Sequence, residues 1–154
     1  MSLLVVPAPL WRRLAAAFYD AFLLAALWMV VAMAETLVRS VAQLPYNVHA
    51  FRGVLFAVTF LFFGWFWTHG GQTLGMRAWR LQLRRTDGRP LDWLTAAQRY
   101  AFAWVAWLPL AAGVLWSAVD ARRRGWHDLW SGTEVVLLPN ASAAPPAASP
   151  RGAP

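Results

Sequence analysis

Apolar positions along the chain fall into blocks of membrane length, and the short stretches between them hold almost all of the charge. Residues 14–34, "LAAAFYDAFLLAALWMVVAMA", carry a single charged side chain, Asp20. At about 1.5 Å of rise per residue this block reaches roughly 30 Å, the thickness of bilayer hydrocarbon, and it predicts a transmembrane helix. A cleaved signal peptide is the competing reading, because Arg12 and Arg13 precede the block and "AMA" closes it. The length of the block and the aspartate inside it weigh against cleavage. Residues 35–52 then form a polar connector with Glu35, Arg39, Pro45, Asn47, His49 and Arg52. A second apolar run, 53–68, extends through His69–Gly71 and places Trp65 and Trp67 as an interfacial aromatic belt. A third, 100–119, is uncharged but has Pro109 near its middle, where a helical ladder is interrupted.

Shorter patterns sit between these runs. "LQLRRTDGRPL" (81–91) predicts a short hairpin turning at Asp87-Gly88. "DWLTAAQRY" opens a helix capped by Asp92 or Thr95, and "TEVVLL" (133–138) reads as a strand. The Ala/Pro/Ser-rich tail, 140–154, is expected to be disordered. The predicted architecture is an all-α membrane protein. It is a small bundle of two full spans plus a third apolar segment, re-entrant or kinked at Pro109 or else a full span, with a short basic hairpin on the cytoplasmic face.

Composition supports a lipid environment. Hydrophobic residues make up 59% of the 154-residue chain and charged residues 14%, against about 45–50% and about a quarter in soluble domains. A soluble domain of this size leaves too much surface wet to hide such a load. The net charge of +7 comes from 14 basic residues, all arginine. A nucleic-acid platform is disfavoured, because the aromatics lie inside lipid-length runs; anionic lipid headgroups are the expected contacts, at about 1 kcal/mol per basic residue near the surface. With three spans the arginines divide 8 against 6 across the membrane; a third run that turns back makes the division 12 against 2. Either way the positive-inside rule places the N-terminus and residues 77–99 in the cytoplasm. Cysteine is absent, so neither disulfides nor thiolate chemistry arise.

Little of the usual catalytic chemistry is present. In "GGQTLGMR", Gly70 and Gly75 have the spacing of a phosphate-binding loop, but Met76 and Arg77 stand where Lys and Ser/Thr are needed. The glycines are better read as a left-handed helix exit. His127-Asp128 supplies at most part of a metal site. No enzyme, cofactor or metal is therefore expected. The sharpest polar signal is Asp20, about 9 Å below Leu14 on a helix, where a carboxylate needs company. Arg13 lies seven residues earlier, near the same stripe, and Arg99 at the head of the third run is the first candidate partner. Two roles fit: an exchangeable carboxylate for transport of an ion or small solute, or a buried Asp–Arg contact in a non-transporting scaffold or accessory subunit. So few spans leave little interior, so transport would call for a homo-oligomer or a membrane partner protein.

Over residues 9–138 the ordered set of motifs resembles the RDD family of small bacterial membrane proteins, named for one arginine and two aspartates, which implies a place in the bacterial inner membrane. "RLAAAFYD" supplies Arg13 and Asp20; "GGQTLGMRAWRLQL" follows the second span, with Gly71, Gln72, Thr73, Gly75 and Arg77; Arg99 opens the third run; and "RGWHDLWSGTEVV" closes it with His127, Asp128, Gly132 and Thr133. The resemblance implies that Arg13, Asp20 and Asp128 are the signature residues, with Asp120 as the rival for the last. Ser131 departs mildly from the family's "AGT". The resemblance implies an architecture more firmly than an activity; a transport role is the one associated with such buried polar residues.

Overall fold

A computed structural model describes residues 6–107 and 112–139, and Pro109 and the 140–154 tail lie outside them. The chain is mostly helical. Helix α1 spans Leu10–Ala42 and α2 spans Val48–Thr68; both are long and apolar enough to cross a membrane. The most apolar window of α1 has no buried residue and that of α2 is 17% buried, where the core helix of a soluble protein is mostly buried. Its two buried positions, Ala16 and Asp20, both lie in its first third. The 33 residues of α1 extend about 50 Å at the helical rise, well beyond bilayer hydrocarbon.

The predicted polar connector is thus mostly helix. Only residues 43–47 separate α1 from α2. Helical spacing rewards the polar residues there: Glu35 accepts from Arg39 one turn on, and Arg39 also donates to the Pro45 carbonyl and lies over the Tyr46 ring. Gln43 ends α1 in the left-handed conformation, and Asn47 caps α2 by accepting from the N–H groups of His49 and Ala50. Midway down the pair, Trp28 Nε1 donates to Thr59 Oγ1 at 3.0 Å.

Past α2 the chain builds a compact cap. Gly70 and Gly71 have φ of 118° and 71°, the left-handed exit expected of them. Short helix α3, Leu74–Ala78, follows, then strand β2, Leu81–Arg85. Strand β1, Val6–Pro7, was not foreseen; it pairs antiparallel with β3, Thr133–Leu137, which also pairs with β2, giving sheet order β1-β3-β2. The expected hairpin is therefore corrected. Asp87-Gly88 does turn, held by Arg85 and Arg89, but the chain then enters a helix, and β2 finds its partner fifty residues later. Leu81, Leu83 and Val135 alternate inward and, with Ala8, Ala16 and Met76, form a small core that docks the sheet on the start of α1. The fold is helical with a three-stranded sheet rather than all-α.

Helix α4, Trp93–Trp107, begins where Asp92 Oδ1 accepts the Thr95 N–H at 2.7 Å. It runs antiparallel to α2: Trp93 packs on Gly64 and Phe60, and Trp104 reaches Phe56. Its described residues end at Trp107. Helix α5, Ala112–Leu115, and a 3-10 turn, Trp116–Ala118, lead to helix α6, Trp126–Trp130. The expected break at Pro109 falls outside the described residues.

Candidate functional site

Two buried carboxylates organise the junction between the long helices and the cap. Asp20, on α1, is 3% exposed. Its Oδ2 accepts from the Thr73 hydroxyl at 2.5 Å and its Oδ1 from the Gly75 N–H at 2.9 Å. Thr73 in turn caps α3 by accepting from the Met76 N–H at 3.1 Å. The motif around Gly75 is built for this approach, since a Cβ there would drive into the Ala16 carbonyl and stand 2.9 Å from Asp20 Oδ1. The "GGQTLG" segment thus cradles a carboxylate of its own chain. The partner of Asp20 is not Arg99, the candidate the sequence offered; the cap's neutral donors hold Asp20, and Arg99 pairs with Asp128.

Asp128, on α6, is 0% exposed and holds the second cluster. Oδ2 takes Arg13 and the Gly125 N–H, and Oδ1 takes Arg99. Arg99 also donates to Thr133 Oγ1 at 2.6 Å and lies over the Trp67 ring. Arg13 also donates to the Arg123 carbonyl at 2.6 Å. Ser131 Oγ bridges the His127 carbonyl and Thr133 Oγ1. Arg13 and Asp20, though seven apart on α1, therefore serve different clusters.

Electrostatics follow from burial and this pairing. Burial opposes the charge on Asp128, but the guanidiniums of Arg99 and Arg13 overcome it and hold the carboxyl well below its ordinary range. Burial and the neighbouring Arg99 charge pull His127 down to about 3, so its ring is neutral at pH 7. Its Nε2 lies 3.5 Å from Asp128 Oδ1.

The remaining motif residues divide. Gln72 Nε2 donates to the Leu81 carbonyl at 2.6 Å, and the Gly71 carbonyl accepts from Leu83 N–H at 2.7 Å; both attach the glycine loop to β2. Gly132 adopts φ 62° and its carbonyl accepts twice from Thr86. Arg77 is exposed and takes no part. Asp120 organises its own turn with Arg122 and Arg124 and touches neither cluster. Sequence reasoning missed Gly125 and the Trp67 platform; a glycine just before "WHDLW" was the available hint of a helix start. No group of side chains suited to a metal occurs among the described residues.

A cavity of about 350 Å³ lies between the clusters, lined by Arg13, Asp20, Thr73, Arg99 and His127 and otherwise mainly by apolar side chains of α1, α2 and the cap.

A sequence model of the RDD family matches residues 7–132, most of the chain, and the protein belongs to that family. No curated relative and no solved structure matches it.

Proposed function

We propose that this RDD-family membrane protein is a non-transporting scaffold or accessory subunit, in which Arg13, Asp20, Arg99 and Asp128 join the membrane helices to an arginine-rich cap. The observation that carries this reading is that all four oxygens of the two buried carboxylates already have donors within the chain. Such groups are costly to strip of their partners. An exchangeable carboxylate would have to give them up in each cycle.

In this reading the cap faces the cytoplasm of a bacterial inner membrane, with the N-terminus on the same side. Its anionic-lipid contacts fall on the exposed arginines. The third apolar run enters beside α2 and is re-entrant. One fact supports a re-entrant path: Gly113 packs against Ala106, whereas a continuous helix would hold them about 10 Å apart.

Transport of an ion or small solute, through a homo-oligomer or with a partner protein, is the second reading. It is favoured by Asp20 lining the cavity. Proton and cation flux in reconstituted vesicles, measured for the wild type and Asp20→Asn beside thermal melts, separates them. The scaffold reading expects no flux from either and a lower melting temperature in the mutant. Wild-type flux that disappears in Asp20→Asn overturns it.

A further inference from the structure

The cavity is apolar along one side and headed by arginines, and its polar wall is already engaged. On α1 it is lined by Arg13, Leu14, Ala17, Asp20, Ala21 and Leu24, a single helical stripe. Leu14, Ala17 and Ala21 are exposed. The cavity therefore opens sideways where α1 leaves the cap and begins its bare apolar stretch, and hydrocarbon is the medium on that side. Asp20 is taken by Thr73 and Gly75, and Arg13 and Arg99 are taken by Asp128. The surface left to a ligand is mainly apolar.

An arginine-rich turn adjoins Arg13 at the head of the cavity. Arg13 holds the Arg123 carbonyl, and Asp120 accepts from the backbone N–H groups of Arg122 and Arg124. Arg123 sits at φ 54° between them. Arg124 pairs with Asp120. Among the described residues, Arg122, Arg123 and Arg12 make no ion pair.

We infer that this cavity binds one acyl chain of an anionic phospholipid of the surrounding bilayer, whose phosphate is held by Arg122 and Arg123 in the turn that Arg13 holds. The volume sits at the low end of the roughly 300–1,000 Å³ of small-molecule sites. The site goes beyond the anchoring role, because diffuse attraction of a basic face to a membrane leaves no lipid on the purified protein.

The full-length protein, extracted in mild detergent and weighed by native mass spectrometry, should carry one phospholipid. Reloaded from mixed vesicles, it should take phosphatidylglycerol over phosphatidylethanolamine. Ala17→Phe and Ala21→Phe each place a ring in the cavity and should remove most of the adduct. Arg122→Gln with Arg123→Gln should keep an adduct but lose the headgroup preference. Phosphatidylglycerol with a diazirine in its acyl chain should label peptides covering residues 13–24 and 63–67 of the wild type, a readout that needs no variant to fold. A lipid-free wild type, an adduct that survives both ring substitutions, or labels confined to other peptides overturns the site. Equal uptake of both phospholipids by the wild type overturns the preference for an anionic headgroup.

Discussion

Asp20 and Asp128 are both buried, and both accept a backbone N–H at the start of a five-residue helix, yet their surroundings differ in charge. Asp20 has neutral donors, the Thr73 hydroxyl and the Gly75 N–H. Asp128 stands between two guanidiniums, Arg13 and Arg99. Removing one partner from a buried ion cluster strands like charges in a poor dielectric, whereas removing a neutral hydrogen bond leaves a dipole unmet. The Asp128 cluster should therefore be the harder to break, and Asp20 the more local joint, holding α3 and the glycine loop against α1.

The largest effect is expected at Asp128. Asp128→Ala should cost about 3–5 kcal/mol, read as a lowered denaturation midpoint in detergent. Combining it with Arg99→Met should recover part of that loss. A double mutant no more stable than Asp128→Ala breaks the charge argument.

Asp20→Asn should cost less, about 1–3 kcal/mol, because an amide oxygen still accepts from Gly75. Limited proteolysis should place the loosening in residues 69–78. Destabilisation equal to that of Asp128→Ala removes the distinction between the two joints.

Acid should act on the Asp128 side. His127 titrates near 3 in the folded chain, below its ordinary 6.5, so the unfolded chain takes up the proton first. That contribution is fully present above about 6.5 and is lost as pH falls toward 3. Asp128, held below its ordinary 3.8, adds loss in the same direction at lower pH. Melting temperature should fall between pH 6.5 and 4 in the wild type, and the fall should be shallower in His127→Gln. Parallel profiles would show that His127 does not carry it.

The smallest effect is expected at the sheet surface. Arg84 pairs with Glu134 at 2.6 Å, but its side chain is 41% exposed. Arg84→Gln should cost under about 1 kcal/mol. A larger loss would move part of the cap's stability from the buried clusters to its rim.

Much of this frame was legible in the chain itself. The two long apolar runs stand out because lipid rewards unbroken hydrophobicity. The Asp92 cap, the glycine exit and the strand at 133–137 each rest on local rules. The connector at 35–52 misled because polar residues were taken to end a helix; Glu35 and Arg39 instead pair along it. The hairpin misled for a related reason. Asp87-Gly88 is a good turn, but a turn does not say which strand the chain will meet.

Sequence alone determined the membrane character, the family and the existence of isolated polar residues that need partners, because those follow from composition and near-neighbour spacing. Only the tertiary structure decided who pairs with whom: Asp20 with Thr73 and Gly75, Asp128 with Arg13 and Arg99, β2 with β3. Those choices join residues 29 to 115 positions apart. The docking of the cap on α1 ranks the available donors by distance, and spacing along the chain carries no such ranking.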